Sequence, residues 1–237
     1  MTFRFKNKQS LIDLFQEIFT QNPYFFKSNV DDPFIVDAGS NIGDSLLYFK
    51  YLYPKATVMC FEPHPEAFEL LKINAGANNF HNVELHQVAL GGKDGHLTLY
   101  SDSSSTYRTS GGDKSLLKAV VRREKINLKK PLTVPIKKLS QFNSIKNCIR
   151  IDLLKLDVEG EETSVLADLD SEGLLEKTTK VILEYHFSFG KKTSNSLDKI
   201  ISLLHQNNFV FGAFNYYRYT SNNLHDLTLM LVANKSA

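Results

Sequence analysis

Asp37-Ala38-Gly39-Ser40-Asn41-Ile42-Gly43 lies between a short apolar run, Phe34 to Val36, and a helical pattern, Asp44 to Tyr53. A bend from strand to helix is where open α/β sheets bind ligands, beyond the carboxyl ends of their strands. Gly39 and Gly43 let backbone approach a ligand and turn without a Cβ clash. The spacing is not the G-x-G-x-x-G of dinucleotide folds, and an acid stands at the strand end. Asp37 would repel a pyrophosphate but suits a ligand that carries positive charge. That argues against a nicotinamide dinucleotide and for S-adenosylmethionine, a sulfonium with an ammonium group. Glu62 ends the next apolar run, Thr57 to Phe61, where a carboxylate can accept both hydroxyls of a ribose. Gln87-Val88-Ala89-Leu90-Gly91 follows a third run and is placed to line an adenine pocket, through Val88 and Ala89.

A second set of polar residues ends two later apolar runs. Asp157 and Glu159 follow Ile151 to Leu156; Glu184 and His186 close the run that begins at Lys180. In extended chain, residues i and i+2 share a face. With the two strands side by side, three carboxylates and an imidazole converge. A histidine side chain ordinarily titrates near neutral pH, so a histidine at 186 suits the role of a base that takes a proton from a hydroxyl nucleophile. Asp157 then orients the acceptor or the cofactor amine. Two other readings stay open. Asp157 and Glu159 also suit the start of the following helix, where negative charge is favoured. Asp157, Glu159 and Glu184 also form an oxygen set of the kind that holds Mg²⁺ or Mn²⁺.

These residues need a scaffold that alternates strand and helix. After Leu11 to Phe19, a helical stripe with Ser10 as N-cap and Asn22-Pro23 as its stop, strand candidates are Phe34–Val36, Thr57–Phe61, Val83–Leu90, Ile151–Leu156 and Lys180–Tyr185. Pro65 suits the first turn of a helix bearing Phe68, Leu70 and Leu71. Ser196 to Asn208 reads as a helix, and Phe209–Phe214 with Leu227–Ala233 as a closing antiparallel pair. Such alternation means βαβ units and a parallel sheet covered on both faces. The whole chain, 1–237, reads as one domain, with 1–30 as an N-terminal helical cover or dimer contact and 91–147 as an insertion on the substrate side. That insertion contains His96–Tyr100, a helical piece at Leu116–Glu124 and a strand candidate at Leu132–Ile136. Between Lys114 and Lys138 nine Lys or Arg face one acid, Glu124, which leaves the remainder of a chain of net charge +2 at −6. The segment would attract an acidic substrate. Tyr107 and Arg108 are lid candidates, and Tyr216, Tyr217 and Tyr219 stand near the last hairpin.

Composition sets outer bounds. At 42% hydrophobic and 23% charged residues the chain can bury a sizeable core. No apolar run approaches a membrane span, the N-terminal residues have no apolar signal core, and Cys60 and Cys148 match no metal spacing. A reduced, cytoplasmic protein is the expectation.

The chain resembles the FkbM-type family of S-adenosylmethionine-dependent methyltransferases. The matching pieces are Val36 to Asp44, Phe61-Glu62-Pro63-His64-Pro65-Glu66-Ala67-Phe68, Ala89-Leu90-Gly91 and Leu154-Lys155-Leu156-Asp157-Val158-Glu159-Gly160-Glu161-Glu162. Together they cover roughly residues 30 to 233. Ser40 stands where Ala is commoner in the family, and Glu162 and Thr163 drift from the usual continuation. The resemblance implies a Rossmann-like class I methyltransferase fold: a seven-stranded, mostly parallel sheet with an antiparallel last strand and helices on both faces. It implies that Asp37, Gly39, Asn41, Gly43 and Glu62 hold the cofactor, and that the reaction is O-methylation, commonly of a sugar, glycan or natural product. Ser40, Pro63, His64, Val88, Ala89 and Asp157 are further cofactor-binding candidates beside them, a hydroxyl of a small molecule is the general acceptor class, and the spacing of the acids does not require a metal. The rivals are N-methylation of an amine or nucleic acid, whose only support is the basic segment, and a non-catalytic adenosine-ligand binder.

Overall fold

The computed structural model describes residues 2–5, 12, 15–20, 22–101, 107–109, 131–186, 195–216 and 228–236. In chain order the strands are β1 (Phe34–Ala38), β2 (Thr57–Phe61), β3 (Val83–His86), β4 (Ala89–Leu90), β5 (Gly95–Ser101), β6 (Tyr107–Thr109), β7 (Leu132–Lys137), β8 (Leu153–Leu156), β9 (Lys180–His186), β10 (Phe209–Tyr216) and β11 (Thr228–Lys235). The helices are α1 (Gln16–Thr20, a π-helical turn), α2 (Asp44–Leu52), α3 (Pro65–Ala77), α4 (Asn143–Lys146), α5 (Glu162–Ser171) and α6 (Leu197–Gln206).

Seven strands form the main sheet in the order β10-β11-β9-β8-β1-β2-β3. Pairings from β9 through β3 are parallel, and β11 runs antiparallel to both β9 and β10. The expected closing antiparallel pair is present, but the last strand inserts between its neighbours and leaves β10 at the edge. The central strands are uniformly apolar because both faces are covered. Val36, Ala38, Met59, Phe61, Leu154, Leu156 and Leu183 pack on one side with α5 and α6. Ile35, Val58, Cys60, Leu153 and Ile182 pack on the other with α2 and α3. Burying each such side chain contributes about 1.5–3 kcal/mol.

The expected single strand Val83–Leu90 is two. The His86 carbonyl accepts N–H bonds from Glu62 and from Val88, at 3.1 Å each, so the chain turns there. After the turn, β4 joins a second sheet of order β4-β7-β5-β6, in which β4 and β7 are parallel and β5 is antiparallel to β7. This sheet is the insertion between β3 and β8. Its exit is fastened by buried Asp168 of α5, which accepts from the Ser140 N–H (2.9 Å) and Oγ (2.8 Å) and pairs with Lys138 Nζ (2.9 Å). The helical piece Leu116–Glu124 and the basic residues 114–130 lie outside the described residues, as do Ser10, Leu11, Leu14, Tyr217 and Tyr219. So do the side chains of Tyr107, Arg108 and Tyr216.

Of the N-terminal segment, the described residues include the short turn α1 and the chain leading to β1. Ile18, Tyr24 and Phe26 are buried against α2, and Phe19 meets Tyr48 edge-on. Ahead of it, the Asn74 amide accepts from Arg4 N (2.6 Å) and donates to Arg4 O (3.0 Å) and Ile42 O (2.7 Å), which ties residues 2–5 and the bend after β1 to α3. Both cysteines are free, and no helix among the described residues is long and apolar enough to cross a membrane.

Phe49 is fully buried and touches the rings of Tyr24, Phe26 and Tyr48. Phe49→Ala is therefore expected to lower the unfolding free energy by about 3–5 kcal/mol in urea titration.

Candidate active site

The bend after β1 is held by its own backbone. Gly39 and Ser40 both donate N–H bonds to the Phe61 carbonyl (2.9 and 3.0 Å), and Gly43 donates to Ser40 O (2.8 Å). Gly39 sits at φ +88, and a Cβ there would meet the Asp157 carbonyl oxygen at 2.0 Å. The tips of β1 and β8 thus approach so closely that only glycine fits. Asn41 also adopts a left-handed φ, 47, which asparagine tolerates. Ser40 is fully buried and its hydroxyl donates to Asp37 O (2.8 Å), so its side chain is spent inside the bend.

Glu62 joins this bend to the next. Its Oε2 accepts from the Asn41 N–H (3.0 Å) and its Oε1 from the His64 N–H (2.7 Å). The His64 ring accepts through Nδ1 from Glu66 N–H (3.3 Å), which caps α3 just ahead of Pro65. Pro63 is half-buried between them, and Val88 and Ala89 are buried at the turn into β4. Burial raises the Glu62 carboxyl to about 7 even though the His64 and Asn41 N–H groups favour its charged form.

Asp37 is fully buried. Its Oδ2 accepts from Ser45 Oγ (2.6 Å), and its Oδ1 lies 3.4 Å from the ammonium of Lys155. Lys155, on β8, donates to Gly39 O (2.6 Å) and lies 3.6 Å from Asp157 Oδ2. The face of Tyr24 covers the ammonium at 5.2 Å. Burial acts to lower the Lys155 pKa, but the carboxylates of Asp37, Asp157, Asp44 and Glu184 more than offset it and hold the group above its usual range. Glu62 feels both Lys155 and Asp157.

The structure therefore joins Asp37, Gly39, Ser40, Asn41, Gly43, Glu62, His64 and Asp157 by direct contacts, with the Glu184 charge acting on the same ammonium. It also places Lys155 at their centre. The signal for Lys155 was a lone charge inside the apolar strand Leu153-Leu154-Lys155-Leu156, since lysine is almost never fully buried unpaired. Glu159 is half-buried at φ 54, in the turn before α5, and Glu161 rather than Asp157 or Glu159 is the N-cap residue of that helix. His186 ends β9 with its backbone paired to Thr228; its side chain lies outside the described ones. Among the described residues no three His, Cys, Asp or Glu side chains are grouped to hold a metal ion.

Similarity searches agree with this architecture. A family model described as "Methyltransferase FkbM domain" matches residues 37–211. A protein of Beauveria bassiana named Methyltransferase 1 is 38% identical over 171 residues, 66% of each chain. The 2-O-methyltransferase NoeI of Sinorhizobium fredii is 28% identical over 65% of this chain and 63% of its own. The chain spans about two thirds of the length of these curated relatives. Among solved structures, the methyltransferase FkbM from Methylobacillus flagellatus superposes with a TM-score of 0.52 at 15% identity, over 96% of this chain and 56% of that one. The fold and the family match define a Rossmann-like methyltransferase. The chain belongs to the FkbM family of S-adenosylmethionine-dependent methyltransferases.

Two measurements check the geometry. Gly39→Ala must push the tips of β1 and β8 apart, so its melting temperature and its affinity for S-adenosylhomocysteine should both fall. For Glu62, the raised carboxyl pKa means that the folded state holds a proton that the unfolded state has already released. Stability is then lost as pH rises from about 4.5 to about 7 and levels off above that. In Glu62→Gln this loss should vanish, leaving a flatter curve of melting temperature against pH.

Proposed function

We propose that this chain transfers a methyl group from S-adenosylmethionine to a hydroxyl of a small molecule, sugar or natural product. The observation that carries the reading is the excess of carboxylates around one buried ammonium beside the glycine bend. That donor set suits a cationic nucleoside. When bound, S-adenosylmethionine supplies a methyl group on a positively charged sulfur.

The residues present fit such a ligand. The Gly39 cradle leaves no room for a side chain and lets backbone come close. Each Glu62 oxygen accepts one backbone N–H, and a carboxylate has about four acceptor positions, so two remain for a vicinal diol. Val88 and Ala89 stand where the adenine would rest. Asn41 and His64 contribute by fixing Glu62 through their backbones, and Ser40 by fixing the bend.

Asp157 orients the acceptor or the cofactor amine from the β8 tip. Glu159 and Glu184 add to the negative field there. His186, two residues beyond Glu184, takes the proton of the acceptor hydroxyl as its oxygen attacks. Holding that oxygen in line with the methyl carbon is the larger part of the task. The similarity to NoeI, a 2-O-methyltransferase, supports oxygen as the nucleophile. The charge of the basic segment 114–138 supports an acceptor that carries acidic groups.

Calorimetric titration with S-adenosylmethionine tests the first half, and absence of heat at millimolar ligand would end it. Transfer of labelled methyl to a panel of sugars and polyols tests the second. His186→Ala should lower turnover about 10²-fold or more while leaving cofactor affinity unchanged; undiminished turnover removes His186 from the base role.

A further inference from the structure

Strand packing alone does not call for a lysine at position 155. Its neighbours along β8 are leucines, and its side chain is 2% exposed on the face that packs against α2 and α3. A buried ion pair is weak evidence for stability, because well-packed apolar residues of similar volume often serve as well. The ammonium also contacts three separate parts of the site: the carbonyl of the glycine bend, the β1 tip acid and the β8 tip acid. Held protonated by its neighbours, it acts as a fixed charge and a donor and does not serve as a base.

We propose that Lys155 determines the charge selectivity of this site: it moderates the pull of Asp37, Asp157, Asp44 and Glu184 on a cationic sulfur, and so sets the preference for S-adenosylmethionine over its neutral-sulfur product, S-adenosylhomocysteine. This rests on the proposed function above. Methyl transfer to a hydroxyl breaks the sulfur–carbon bond, leaves its electron pair on sulfur and abolishes the sulfonium charge. A site that is too negative therefore stabilises the bound donor more than the transition state, in which that charge is already dispersing. Such binding lowers KM without helping kcat. One internal cation against four carboxylates keeps the site attractive to the donor without making it a trap. Lys155 is thus a positioning and specificity residue, one step removed from the reacting atoms.

The test uses the full chain and two probes, S-adenosylmethionine and S-adenosylhomocysteine, titrated by calorimetry into the wild type, Lys155→Met, Asp37→Asn and the double variant, with melting temperatures as a fold control. One unit charge about 10 Å away at protein-like screening corresponds to about tenfold in affinity. Lys155→Met should shift the ratio of the two affinities about tenfold towards the methionine form. Asp37→Asn should shift it the other way, and the double variant, with the wild-type charge, should restore it within about twofold. A folded Lys155→Met with an unchanged ratio overturns the proposal. If Lys155→Met fails to fold, the double variant decides: a ratio no different from that of Asp37→Asn overturns it equally. A merely structural role for Lys155 would weaken both ligands in proportion and leave the ratio alone. Failure of the underlying function is distinct, because then neither probe binds the wild type.

Discussion

Adjacent parallel strands that all end in acids would repel one another without a counter-charge. The tips of β1, β8 and β9 carry Asp37, Asp157 and Glu184, and one buried ammonium stands among them. Lys155 satisfies its charge partly through the Gly39 carbonyl, so the same contact that permits the acids to approach also fixes the glycine bend. Beside it, Gly39 crosses close over the Asp157 backbone, where no Cβ would fit. Glu62 then completes the arrangement from the β2 side, gripping both neighbouring bends by their N–H groups. Asp37 is held by Ser45 of α2 and Lys155 of β8, Glu62 by the Asn41 N–H of the bend after β1, and the sheet order supplies those segments as neighbours.

Much of the fold was legible because buried parallel strands write themselves as short apolar runs. Thr57–Phe61 coincides with β2, and Pro65 opens α3 behind a His64 cap. The third run misled because Val83–Leu90 is continuously strand-like, whereas the turn within it is set by the His86 carbonyl meeting Glu62 and Val88. No local pattern encodes that meeting. The insertion was legible as a break in the alternation, but its pairing was not. Strand β4 has only two residues and finds its parallel partner more than forty positions away.

The site divides the same way. Asp37, Gly39 and Glu62 could be read from residue type at a strand end. What sequence reading could not supply was the direction of each side chain. Asp37 reads from sequence as an acid suited to a cationic ligand; the fold adds that its carboxylate accepts from Ser45 and pairs with Lys155. The negative field reaching a ligand is then a sum over several acids less one base, a property of the assembled sheet that no single motif carries.

The second sheet leaves and rejoins the main one through two strands lying side by side, β4 and β7, with Asp168 clamping the exit to α5. A loop whose two feet are clamped together like this is mechanically insulated from its platform. Its length and chemistry can drift over generations while the glycine bend and its acids stay intact. Descendants of one scaffold could thereby diversify by rewriting a single excursion of the chain.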